Sequence, residues 1–221
     1  MIFGILLAIL LIIESVFLRV LKLNKRIPKD ILLKIHCALG FSISALACIH
    51  FAFVLSLWKQ RPLFMNITGC VMFAFIIIIG ILNIGKKNKL KLTIHKILAL
   101  STFVFLGAHI FSGISSLSAY QSAVRNMSID NIDITTISDG VYEGESDVGY
   151  IYAKVKVTVL DGKITAIDII EHRNERGSKA ESITDNIISH QSLDVDTITS
   201  ATNSSKVIKK AVENALKIES K

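Results

Sequence analysis

The stretch Ile35–Trp58, IHCALGFSISALACIHFAFVLSLW, contains no Asp, Glu, Lys or Arg and carries one histidine near each end, His36 and His50. It is longer than the roughly 20 apolar residues that take a helix across about 30 Å of hydrocarbon. Two further uncharged stretches follow, Pro62–Gly85 and Ile97–Val124, while the opening run Met1–Leu18 is interrupted only by Glu14. That opening run lacks the basic start and small-residue cleavage site of a signal peptide, so it also reads as a span. Residues 1–118 are therefore expected to form a four-helix transmembrane bundle.

Composition agrees: the 221 residues are 51% hydrophobic and only 19% charged, with a mean hydropathy of +0.54. That is too apolar for an ordinary soluble chain. The net charge of +7 is unevenly placed. Residues 1–119 hold 13 Lys and Arg against Glu14 and Asp30 alone, whereas residues 120–221 hold 12 basic and 16 acidic side chains. The basic excess belongs to the apolar half, and no aromatic-basic patch accompanies it, so nucleic acid is not an expected partner.

The loops between spans set the expected orientation. Lys22, Lys25, Arg26 and Lys29 lie between spans one and two, and Lys86, Lys87, Lys89 and Lys91 between three and four; the middle loop has only Lys59 and Arg61. The richer loops should be cytoplasmic, which places both ends of the chain outside, in a multi-pass protein of the cell membrane. Cys37, Cys48 and Cys70 fall within spans, imply no disulfide framework, and read as small buried hydrophobes.

The histidines repeat a spacing: His36 and His50 in the second span, His95 and His109 in the fourth, each pair 14 positions apart. At about 100° and 1.5 Å per residue, 14 steps return to within ~40° of the same face and rise about 21 Å. Spans two and four run in the same direction, so His36 is expected level with His95 and His50 with His109. Two imidazoles converging from parallel helices are what bis-histidine ligation of a haem iron requires. A hydrogen-bonded interior residue or a quinone contact is the other reading of any one of them, although polar groups at this depth are usually functional. Gly40 and Gly107 would let a macrocycle approach the backbone; Lys34, Lys91 and Lys96 would either meet haem propionates or snorkel to the interface. The doubled His-x13-His pattern resembles the respiratory cytochrome b family and related di-haem membrane proteins. That resemblance implies two haem b groups stacked across the bilayer.

Residues 119–138 are polar and read as a linker, and residues 139–221 as a small α+β domain. Ile151–Leu160 alternates, with Val155, Val157 and Val159 on one face, and predicts a half-buried strand. Asp161-Gly162 is a hairpin turn and Lys163–Ile170 the partner strand. A helix is expected from Ser178 through Gln191, a short extended piece over Val195–Thr199, and a closing amphipathic helix from about Ser204 to Ile218. His172 and His190 read as surface or hydrogen-bonded histidines.

The run Asp196-Thr197-Ile198-Thr199-Ser200-Ala201-Thr202-Asn203-Ser204-Ser205 joins small residues to a helix start. Free amides there suit a phosphate; a plain Ser/Thr N-cap is the competing reading. The run resembles the FMN-binding domain found in the sodium-pumping NADH:quinone oxidoreductase and in the Rnf complex, whose signature is Asp-x-x-(Ser/Thr)-Gly-Ala-Thr-x-(Ser/Thr). Asp196, Thr199, Ala201, Thr202 and Ser204 fit, and Ser200 stands at the Gly. Asp139-Gly140-Val141-Tyr142-Glu143-Gly144 and the Asp161-Gly162 turn are similar too, while Glu175-Arg176-Gly177 loosely resembles the family's Glu-Thr-Pro-Gly. The resemblance implies that a flavin transferase links FMN through its phosphate to Thr202, with Thr199, Ser200, Ala201, Asn203 and Ser204 around the attachment point.

Together the halves are expected to conduct electrons between a membrane quinol, or another membrane or cytosolic donor, and an extracytoplasmic acceptor, through the two haems and the flavin. The alternatives are a flavin-dependent reductase of ferric ion or another small acceptor outside the cell, or a haem-free membrane subunit or redox sensor of a larger complex. No nicotinamide-binding Gly-rich motif, iron–sulfur Cys cluster or hydrolytic triad is present.

Overall fold

The computed structural model describes residues 2–23, 28–82, 88–174 and 176–217, with side chains undescribed at 2 and 17–23. Of the residues named above, Met1, Lys25, Arg26, Gly85, Lys86, Lys87, Glu175 and Ile218 lie outside the described ones, as do the side chains of Leu18 and Lys22. The chain divides into two compact units: Met1–Trp58 with Pro62–Gly113, and Lys59–Arg61 with Ile114–Lys221.

The first unit is built from α1 (Ile2–Leu23), α2 (Lys29–Ser56), α3 (Leu63–Leu82) and the part of α4 (Lys89–Arg125) that ends at Gly113. Among the described residues α2, α3 and α4 are long and apolar enough to cross a membrane. In α1, which carries the first expected span, the apolar stretch is Phe3–Val16. A helix needs no outside partner for its backbone, and the hydroxyls on these helices are satisfied within them: Ser42 donates to Ala38 O, Ser44 to Gly40 O, and Thr102 to Leu98 O. Large apolar side chains such as Phe41, Leu100 and Phe111 face outward, as lipid contact requires. Cys37 and Cys48, expected as buried, are also on the outside. The unit is held by aromatic contacts between neighbours: Phe3 with Phe53, Phe51 stacked on Phe73 at 4.3 Å, and Phe75 edge-on to Phe105. This is a membrane protein.

The second unit is α+β. β1 (Gly140–Asp147), β2 (Tyr152–Leu160) and β3 (Lys163–Arg173) form an antiparallel meander in the order β1-β2-β3. Asp161 and Gly162 both have positive φ, 51° and 68°, which is the two-residue hairpin turn their sequence calls for. The alternation in β2 sends Ala153, Val155, Val157 and Val159 to one fully covered face. α6 (Thr202–Lys217) covers that face with Val207, Ile208, Ala211, Val212, Ala215 and Leu216, all without solvent exposure. It comes so near β1 that a Cβ on Gly144 would lie 2.7 Å from Ala215 Cα, and closer still to Ala211 O and Ala215 N. Only glycine fits there.

The helix expected over Ser178–Gln191 is split, a 3-10 turn over Ser178–Ser182 followed by α5 (Ile183–His190). Ile183 and Ile187 are buried as expected, and Gln191 ends the helix in the left-handed region, its side-chain amide bonded to both Ile164 N and Ile164 O. Val195–Thr199 is irregular chain and pairs with no strand. The 119–138 segment is helical to Arg125; beyond it, Ile134 and Ile137 join the hydrophobic core and Asp133 caps a short 3-10 turn over Ile134–Thr136. Lys217 pairs with Asp130 at 2.7 Å, and Lys210 donates to Ser128 O. These contacts strap the segment to α6.

Candidate functional site

The loop before α6 is shaped by backbone geometry. Ser200 has φ +68°, in the left-handed region that favours glycine, which explains the Gly of the signature at this place. The turn lets Ala201 N–H donate to Ile198 O at 3.0 Å, and Ala201 O then accepts the first helical bond from Ser205 N–H at 2.9 Å. The helix therefore begins at Thr202, two residues earlier than its hydroxyl pattern suggests. Ser204 and Ser205 are inside it and buried. Ser205 Oγ reaches back to accept Ile198 N–H and donates to Ala201 O, pinning the loop to the first turn.

This geometry bears on both readings of the motif. The position before the first helical residue is Ala201, which has no side-chain oxygen to cap with, and Ser205 is spent on the loop. The first-turn amides have no acceptor within the helix, and their end of the helix dipole favours an anion. Thr202 and Asn203 are exposed; Thr199 and Ser200 are exposed beside them, and Ala201 and Ser204 are buried beneath. A hydroxyl at the first helical residue, accessible and next to free amides, suits a phosphate bonded to that hydroxyl.

A second loop closes one side of the motif. Gly177 packs on Ser204, so that a Cβ at Gly177 would lie 2.8 Å from Ser204 Cβ and nearer still to its hydroxyl. Asn174 Oδ1 accepts Gly177 N–H at 2.7 Å, and Asn174 Nδ2 lies 3.2 Å from His172 Nδ1. His172 is a buried side chain, 1% exposed, paired with Glu181 at 2.9 Å; His190 is an exposed one that bonds Asn186 O. Further along α6, burial pushes the Lys209 ammonium below the usual lysine range, and it donates to Val195 O at 2.7 Å, bracing the loop from behind.

In the first unit, His36 and His95 do meet: their ring centroids are 5.8 Å apart and their planes 74° from parallel. His109 Nδ1 is 3.1 Å from Met65 O and 3.1 Å from Thr68 Oγ1, so an N–H at Nδ1 donates to the carbonyl and leaves Nε2 as the free donor atom. His36 Nδ1 is 2.9 Å from Glu14 Oε1, an ion-pair contact that lacks hydrogen-bond geometry. Glycines face the second pair: a Cβ on Gly4 would lie 3.1 Å from the His50 ring, and one on Gly69 3.3 Å from that of His109. Gly107 faces open space, and Gly40 has only Glu14 Oε1 near, at 3.8 Å.

In the sequence Glu14 is no more than an interruption of a span. A lone carboxylate in a membrane segment was the available signal, since such a group is costly unless it has a partner. Thr68 and Met65 gave no such signal, because a backbone carbonyl acceptor is a matter of helix packing. Among the described residues, no three His, Cys, Asp or Glu side chains cluster as a ligand set for a bare metal ion.

Long apolar helices followed by a small α/β domain with a three-stranded sheet define a membrane protein with a separate C-terminal domain. Residues 149–217 match the FMN-binding domain family, and the second unit carries that domain. An uncharacterized protein of Treponema pallidum (strain Nichols) is 31% identical over 83 residues, which cover 36% of this chain and 23% of that protein. This chain thus spans less than a quarter of that relative's length. No solved structure matches the chain.

Proposed function

We propose that the protein conducts electrons across the membrane through two b-type haems, one held by His36 and His95 and one by His50 and His109, to or from an FMN joined through its phosphate to Thr202 on an extracytoplasmic domain. The observation that carries this reading is the meeting of His36 and His95 from α2 and α4 in a chain whose second unit is an FMN-binding domain. His36 and His95 would hold one haem between α2 and α4, and their meeting supplies the pair of imidazoles it would need. A haem iron brings four nitrogens of its own and asks the protein for two, so pairs of histidines suffice. A fixed Nδ1 hydrogen bond to Met65 O orients the His109 ring and raises its basicity, and the Glu14 carboxylate stands 2.9 Å from His36 Nδ1. The b-type haem supplies one-electron exchange, and FMN couples it to one- or two-electron partners.

Support for Thr202 as the attachment residue is its accessible hydroxyl at the first helical position, beside free amides, in a run that fits the family signature. A flavin transferase would be the partner that makes the bond. The four-span arrangement with the FMN domain outside the cytoplasm rests on the basic loops around residues 22–29 and 86–91. Membrane quinol or a cytosolic protein is the expected donor and an extracytoplasmic protein or small oxidant the acceptor.

A reduced-minus-oxidised spectrum of the purified protein, with haem and flavin quantified per chain, tests the reading: two haems and one flavin are expected. Thr202→Ala should remove the FMN mass adduct and leave the haem bands in place. Flavin without any reducible b-type spectrum would refute the conductor and leave a haem-free flavin subunit.

A further inference from the structure

Beside the attachment residue, within the second unit, side chains from four separate segments converge. Asn203, the neighbour of Thr202, donates through Nδ2 to the Tyr120 hydroxyl at 2.8 Å. The Tyr120 ring lies 5.2 Å from the Tyr150 ring, centroid to centroid, with the planes tilted by 47°. Tyr150 shares a 2.9 Å hydrogen bond with Ser116 through its hydroxyl, and the Arg61 guanidinium sits 4.7 Å above its ring. All of these residues belong to one compact unit, although Arg61, Ser116 and Tyr120 fall outside the stretch matched to the FMN-binding family.

Tyr120 packs in part against the unit's aliphatic core, while Tyr120, Tyr150 and Arg61 are all only half-buried. Two tyrosines tilted toward each other with a guanidinium alongside form an aromatic, cationic shelf, one residue from an exposed hydroxyl. The isoalloxazine ring is flat, aromatic and uncharged when oxidised, and gains one negative charge when it takes up two electrons and one proton. Such a ring is matched by π faces for stacking and by a planar cation that never loses its charge. Tyr142 and Tyr152, the other tyrosines of the unit, are engaged elsewhere, Tyr142 on Ser138 O and Tyr152 on Glu145 with Arg173 over its ring.

We propose that Tyr120 and Tyr150, with Arg61, form the seat of the isoalloxazine ring of the FMN on Thr202. The seat rests on the attachment proposed above. Asn203 positions Tyr120, Ser116 positions Tyr150, and Arg61 favours the reduced ring by offsetting its charge.

Flavin fluorescence reads this directly, because an electron-rich phenol in contact with the ring quenches it. The full chain is flavinylated by co-expression with a flavin transferase, intact mass establishes the FMN adduct, and fluorescence is measured per bound flavin. Tyr120→Leu and Tyr150→Leu should each raise it several-fold, while Tyr142→Leu leaves it at the wild-type value. Tyr120→Phe keeps the packing and removes the phenol, so it should brighten the flavin even if the leucine variant folds poorly. In a dithionite titration, Arg61→Gln should shift the flavin midpoint to more negative potential with the haem bands unchanged. A normal mass adduct with unaltered fluorescence in the Tyr120 and Tyr150 variants would overturn the seat while leaving the attachment intact. Absence of the adduct from the wild-type chain would overturn the attachment, and the seat with it.

Discussion

Ser200 is the residue at which this chain departs from the family signature, and its φ of +68° sets what replacing it should do. A side chain in the left-handed region costs about 1–2 kcal/mol relative to the right-handed one, with small polar residues at the lower end. Glycine removes that cost but adds about 0.5–1 kcal/mol of unfolded-state entropy. Ser200 is exposed, so its replacement takes no packing away. Ser200→Gly should therefore stabilise the second unit by about 0.5 kcal/mol, raising its melting temperature by roughly 2–4 °C for a domain of this size. Ser200→Val, β-branched and so worse in this conformation, should lower it by a larger amount. Thermal unfolding of the full chain in detergent, followed by proteolytic susceptibility within residues 139–217, gives the order Gly above Ser above Val. Intact mass in the same samples should show the Gly variant flavinylated at least as fully as the parent. A Gly variant no more stable than the parent, together with an unimpaired Val variant, would show that the turn before α6 is not left-handed and would remove the account of why the helix starts at Thr202.

Three further outcomes follow from the geometry. Gly144→Ala places a methyl against the backbone of α6 at Ala211 and Ala215, which cannot rotate away. The helix must retreat from the sheet at a cost of about 3 kcal/mol, seen as a drop of roughly 12 °C or more in the same melt. Glu14→Leu removes the carboxylate 2.9 Å from His36 Nδ1; loss of such an outer partner typically weakens metal binding roughly 10–100-fold, so haem quantification should show loss from the His36 and His95 site and retention at the other. In acid, Lys217 holds the Asp130 carboxyl below its usual range by hydrogen bond and charge, and Lys154 does the same to Glu143. Both folded-state values are depressed, so their contribution is complete above the ordinary carboxylate pKa of about 4 and is lost as pH falls through the lowered values. The double variant Asp130→Asn, Glu143→Gln should flatten the acid limb of the melting curve, and an unchanged limb would show that these pairs contribute nothing.

Sequence by itself determined the features that depend on local pattern or on repetition. Uncharged length gave the spanning helices, a period of two gave β2, Asp161-Gly162 gave the hairpin, and the apolar stripe of the last helix gave its buried face. The 14-residue histidine spacing fixed how far apart each pair stands along its own helix, because helix geometry is nearly invariant, while the meeting of His36 with His95 is a matter of helix packing. Other features belonged to tertiary structure because they depend on which distant groups arrive. The hydroxyls of Ser204 and Ser205 look like a helix cap in sequence, yet Ser205 is turned to Ile198 and the helix starts earlier, at a residue set by the backbone of Ser200. The polar 119–138 segment has no periodicity to reveal that Ile134 and Ile137 complete a core whose other members lie on β2 and α6. Glu14 acquires meaning only from the imidazole packed against it, and Tyr120 only from Asn203. A side chain's chemistry can be read from its letter, but its partner is chosen by the fold.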